Sequence, residues 1–128
     1  MAAPEHPKNA PRRILVVDDE ALVCDSIKRA LASDEHEVET AISAEEALNA
    51  VRRSKFDLII LDYEMPRMKG DKLASAIRGL VPLQSIIMIT AYGEALRYAG
   101  DFPLAVDRIL SKPFELQELR EVVRQLTK

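Results

Sequence analysis

The chain has 128 residues and a formal net charge of −3, close to half of it apolar and well supplied with charge, which fits one globular domain around one core. The mild negative balance excludes the broad positive field that nucleic-acid backbone binding needs, and the single cysteine, Cys24, excludes an internal disulfide or a thiol zinc cluster. The longest aliphatic runs are four residues each, too short for a membrane helix, and no export signal opens the chain, so the expected location is the cytoplasm.

Residues 1–12 carry Pro4, Pro7 and Pro11 without helical or strand periodicity and read as a disordered tail, leaving 13–128 as the domain. From residue 13, short aliphatic runs alternate with amphipathic stretches, the pattern of stacked βαβ units. Residues 13–17 form a strand whose continuous apolar content suits burial on both faces. Asp18, Asp19 and Glu20 follow. A helix over 21–32 puts Val23, Ile27, Ala30 and Leu31 on one face, and 36–41 makes a short second strand. Ser43 with Glu46 three residues on is a capping box, opening a helix with Ala44, Ala47, Leu48 and Val51 inward.

The third strand, 56–61, leads to Asp62. Met65-Pro66 and Gly70 mark a loop, and Leu73, Ala76, Ile77 and Leu80 line the next helix. Residues 85–89 form a fourth strand that delivers Thr90. The stretch 93–100 has room only for a short helix; 108–110 makes a brief fifth strand, broken by Ser111-Lys112-Pro113. A last helix places Leu116, Leu119, Val123 and Leu126 inward. The count is five strands and five helices.

Ligand sites of open α/β sheets lie beyond the carboxyl ends of the strands, near the point where strand order reverses. Asp18 and Asp19 end the first strand, Asp62 the third, Thr90 the fourth and Lys112 the fifth. Three carboxylates in a partly buried cleft repel one another, and a divalent cation resolves that. Hard oxygen ligands in an open cluster suit Mg2+. A phosphoryl group carries charge on three oxygens, which a metal ion, the Lys112 ammonium and the Thr90 hydroxyl together satisfy. Asp62 is then the nucleophile of an acyl phosphate. Each residue alone has a bland reading as a helix-start acid, a turn acid, a solvated lysine or a strand-end hydroxyl; their coincidence at one rim outweighs it.

With Val17-Asp18-Asp19-Glu20, Leu61-Asp62-Tyr63-Glu64-Met65-Pro66, Gly70, Thr90-Ala91 and Lys112-Pro113-Phe114 in order, the chain from about residue 13 onward resembles the receiver domains of two-component response regulators. The resemblance implies a three-layer, doubly wound, flavodoxin-like α/β fold with a five-stranded parallel sheet in the order 2-1-3-4-5. It implies that Asp62 takes a phosphoryl group from a sensor histidine kinase or phosphotransfer protein, and that the Glu64 backbone carbonyl joins Asp18, Asp19 and Asp62 around Mg2+. It also implies a cis peptide before Pro113, and a homodimer or docking face formed by the fourth helix, fifth strand and last helix. The chain is then a switch rather than an enzyme in its own right, acting alone or as part of a longer regulator.

Receivers usually carry an aromatic residue three positions before the lysine, and Ile109 stands there, which removes an aromatic rotamer switch. Ala105-Val106-Asp107 replaces the family's Gly-Ala-Asp. Glu64 and Tyr92, two residues beyond the acceptor and the threonine, are placed to tune the phosphoryl lifetime. His6, His36 and the pairs Arg12-Arg13 and Arg52-Arg53 read as solvated or strand-edge groups. Leu96, Tyr98, Phe102 and Leu104 suit either local core or a partner surface. Competing functions are an aspartyl-phosphate-forming phosphatase, a flavodoxin-like nucleotide carrier, which lacks its phosphate loop here, and a phosphorylation-independent interaction module.

Overall fold

The structure, a computed structural model, describes residues 11–93 and 105–127. The expected helix at 93–100, the apolar group Leu96 to Leu104 and most of the expected tail lie outside these residues. The elements are β1 (Arg13–Val17), α1 (Ala21–Ala32), β2 (Glu37–Ala41), α2 (Ala44–Arg53), β3 (Leu58–Asp62), α3 (Gly70–Leu80), β4 (Ile86–Thr90), β5 (Arg108–Ser111) and α4 (Leu116–Leu126). All strand pairs are parallel and the order is β2-β1-β3-β4-β5, as the resemblance implied.

Side chains alternate across a strand, so each central strand feeds two cores. Leu15, Val17, Ile59, Leu61, Ile86 and Met88 face one way, against Ala47, Ala50 and Val51 of α2 and Leu73, Ala74 and Ile77 of α3. Ile14, Val16, Leu58, Ile60, Ile87 and Ile89 face the other, against Cys24, Ile27 and Leu31 of α1 and Leu119, Val122 and Val123 of α4. The continuous apolar runs of β1, β3 and β4 are thus explained by double coverage. β2 is one edge of the sheet, and its charged residues mark it so: Glu37 forms an ion pair with Arg13 Nε at 3.0 Å.

The helix stripes differ from the expected ones at their margins. On α1 the buried line is Cys24, Ile27 and Leu31, with Val23 and Ala30 only half-buried beside it. Cys24 is therefore core, its thiol donating toward the Asp18 carbonyl at 3.4 Å. Leu80 and Leu116, expected inward, are 46% and 41% exposed. They are the last residue of α3 and the first of α4, where each stripe runs past its core.

His36 corrects the expectation of a solvated residue, because it is buried and its Nδ1 accepts the Arg12 N–H at 3.1 Å. Burial lowers its pKa, which keeps the imidazole in the neutral form that this acceptor role requires. Arg12 is held further by Nε donating to the Thr127 carbonyl at 3.0 Å. At the start of α2 the Ser43 hydroxyl accepts the Glu46 N–H, while the Glu46 carboxylate accepts from the Ile42 N–H rather than from Ser43 itself. Between the starts of β4 and β5, the Asp107 carboxylate accepts the Ile86 N–H at 2.8 Å and pairs with Arg78 of α3 at 2.9 Å.

Candidate functional site

Strand order reverses between β1 and β3, which run side by side with Val17 opposite Leu61. The next residue of each is an aspartate, so register alone brings Asp18 and Asp62 together. Asp18 N–H is anchored to the Ala41 carbonyl and its carboxylate accepts the Glu20 N–H at 2.9 Å. Asp18, Asp19 and Asp62 each offer an oxygen within 4.8 Å of the others. Asp18 and Asp62 are buried and Asp19 is exposed, giving a cluster open on one side.

Burial, joined by the charge of Asp62, pushes the Asp18 carboxyl up to about 6. Burial also raises Asp62, against the opposing pull of Lys112. The lysine ammonium lies 2.7 Å from Asp62 Oδ1. Burial tends to lower Lys112, but its contact with Asp62 and the nearby charges of Glu64 and Asp18 outweigh this and hold it protonated. Repelling, partly desolvated carboxylates with hard oxygen donors and an open side fit a divalent cation of the Mg2+ kind.

β4 sits beside β3 and ends at Thr90, which is fully buried. Lys112 follows β5 and is fixed by its N–H donating to the Thr90 carbonyl at 2.8 Å, and the Lys112-Pro113 bond is cis. Thus Asp18, Asp19, Asp62, Thr90 and Lys112 converge as the strand ends suggested. Glu64 does more than its offset indicated: its Oε2 accepts the Thr90 hydroxyl at 2.5 Å, and its Oε1 lies 3.6 Å from Lys112 Nζ and 3.4 Å from the Ala91 N–H. The Tyr92 N–H donates to Thr90 Oγ1 at 3.1 Å, while the Tyr92 side chain is exposed.

Gly70 is a structural part of the site. A Cβ there would lie 2.7 Å from Tyr63 Cα and 2.8 Å from the Asp62 carbonyl oxygen, so the start of α3 presses against the backbone of Asp62 and Tyr63. Ile109 is buried in the core shared with α2 and α3. Its Cγ2 and the Ser111 hydroxyl close the space where a Cβ on Gly93 would stand. The Gly93 approach and the Asp107 clamp had no signal in the sequence beyond the residue types themselves.

Fold and site together define a doubly wound domain with an acidic pocket beyond the carboxyl ends of its strands. The family model for the response regulator receiver domain matches residues 14–124, and the chain belongs to that family. It is 34% identical over 114 residues to the response regulator MprA of Mycobacterium tuberculosis strain H37Rv, covering 89% of this chain and 50% of that protein. The chain therefore spans about half the length of the curated relatives it matches. Among solved structures it is similar to a receiver domain protein of Methanospirillum hungatei JF-1, with a TM-score of 0.82, 30% identity and coverage of 91% and 93% of the two chains. It is also similar to the response regulator TrrA of Thermotoga maritima in complex with Mg2+ and BeF, with a TM-score of 0.80, 39% identity and coverage of 90% and 98%. No helix among the described residues is long and apolar enough to cross a membrane.

Proposed function

We propose that the chain is a phosphoacceptor switch in which Asp62 receives a phosphoryl group from the phosphohistidine of a sensor kinase or phosphotransfer protein. The carrying observation is the meeting of three carboxylates within 4.8 Å of one another, with Lys112 paired to the acceptor. The Asp62 carboxylate forms the O–P bond as the donor's P–N bond breaks, and the leaving imidazole takes a proton from solvent. Lys112 lies beside the oxygen it would share with the phosphoryl group, and the Thr90 hydroxyl, which at rest donates to Glu64, would turn to another phosphoryl oxygen. Asp18, Asp19, Asp62 and the Glu64 carbonyl would hold Mg2+, whose charge would offset that of the incoming group. The complex of TrrA with Mg2+ and BeF supports this reading.

The domain acts in the cytoplasm by changing partner contacts rather than by turning over a substrate. Without an aromatic at Ile109, the face made by the segment after Thr90, β5 and α4 carries the output, whether to a homodimer or to a longer regulator.

Incubation with Mg2+ and a small acyl phosphate donor tests the proposal by intact mass. A stable gain of one phosphoryl, lost in Asp62→Asn, is expected. Release of free phosphate without an adduct points instead to a phosphatase, and no reaction at all to an interaction module. Glu64→Ala and Tyr92→Ala are each expected to change the decay of the adduct several-fold, measured by the same mass readout over time; decay matching the parent in both contradicts lifetime tuning.

A further inference from the structure

We propose that the Glu64 carboxylate is a built-in competitor for the phosphoryl group, occupying the donors that a phosphorylated Asp62 requires. The inference rests on the phosphoacceptor reading above. Three donors converge on this carboxylate: the Thr90 hydroxyl at 2.5 Å, the Lys112 ammonium at 3.6 Å and the Ala91 N–H at 3.4 Å. An anion with two oxygens spread over a hydroxyl, an ammonium and a backbone amide is what a phosphoryl group in this place would also be. Thr90 has only one hydroxyl proton to give, so it donates to Glu64 or to the phosphoryl oxygen, not to both.

This alters how the switch operates. The Thr90 side chain is already engaged at rest, fully buried and accepting the Tyr92 N–H. Phosphorylation exchanges its acceptor and expels Glu64, and the movement offered to partners is that of the freed carboxylate with the Ala91 and Tyr92 backbone. No ring at position 109 is needed. Glu64 is a positioning residue here, since it acts through Thr90 and Lys112.

The test uses beryllofluoride as a phosphoryl analogue at saturating Mg2+, titrated into the parent, Glu64→Ala, Glu64→Gln and the same set in a Thr90→Val background. Release of a charge-assisted hydrogen bond is expected to tighten analogue binding by roughly tenfold in Glu64→Ala. Glu64→Gln, neutral but still an acceptor for the hydroxyl, falls between. In the Thr90→Val background the gain shrinks to about twofold or less, because the contested donor is gone. In analogue-free protein, the Ala91 and Tyr92 amide resonances shift in Glu64→Ala.

Equal or weaker analogue binding by Glu64→Ala overturns the competition, as does a gain of the same size with and without the Thr90 hydroxyl, which marks charge repulsion alone. If every variant including the parent fails to bind, the phosphoacceptor reading falls and the competition with it; a failure confined to the Glu64 comparison removes only the competition.

Discussion

Asp18→Asn is expected to make the metal-free domain more stable at pH 7, by up to about 3 kcal/mol, because a pKa displaced by about two units corresponds to that much free energy. The carboxyl ordinarily titrates near 3.8 and is pushed up to about 6 in the folded chain, chiefly by burial. The folded state thus binds this proton more tightly than the unfolded state does. The contribution of Asp18 to stability is fully present below about pH 4 and is lost as pH rises through about 6. At neutral pH the fold holds a charge that it solvates poorly. Asparagine keeps an oxygen for the Glu20 N–H, now accepted at 2.9 Å, and removes the charge.

Urea denaturation with and without Mg2+, from pH 4 to 8, checks this. The parent should gain stability on adding Mg2+ and Asp18→Asn should gain little, so their order narrows or reverses with the cation. An Asn variant less stable than the parent at pH 7 without metal would contradict the electrostatic account of the cluster.

Gly70→Val is expected to destabilise the domain by about 3 kcal/mol or more, at the upper end of what overpacking costs. The atoms that a side chain would strike are backbone, Tyr63 Cα and the Asp62 carbonyl oxygen, with Leu61 Cδ1 at 3.0 Å behind them, and backbone cannot swing aside. Relief requires either moving the start of α3 or displacing the Asp62-Tyr63 peptide. The variant should therefore also take up phosphoryl groups more slowly than its lost stability accounts for. Gly79 on the same helix is the internal control. Nothing lies within 4 Å of a Cβ placed there, and the residue is exposed. Gly79→Ala should stabilise by about 0.5–1 kcal/mol through the lower conformational entropy of the unfolded chain. Denaturation midpoints of both variants decide the matter; equal effects at the two positions would show that the close approach at Gly70 is not a constraint.

The sheet was legible because its central strands are short uninterrupted aliphatic runs, and parallel burial on both faces is what such runs are for. The acidic cluster was legible for the same reason. Once β1 leads into Asp18 and β3 ends in Asp62, side by side with Val17 opposite Leu61, the carboxylates have nowhere to go but together. Where one side chain chooses among several rotamers, or where a helix outruns its core, the pattern was silent. Glu64 could be placed near Asp62 by its offset, but its reach to Thr90 depends on a flexible side chain leaving a loop. Leu80 and Leu116 continue correct stripes beyond the point where there is core to meet them. His36 was misread because a neutral imidazole serves as a buried acceptor as readily as an exposed one, and periodicity does not reveal protonation.

The central claim is that Asp62 carries the phosphoryl group. An acyl phosphate formed with Mg2+ and a small phosphodonor is reduced by borohydride to an alcohol, which converts the modified aspartate to homoserine, and peptide mass spectrometry then reads its position. Homoserine at residue 62 alone, dependent on Mg2+, is the expected result. Homoserine at residue 18 or 19 in its place, or no conversion at 62 after confirmed phosphoryl uptake, would contradict it.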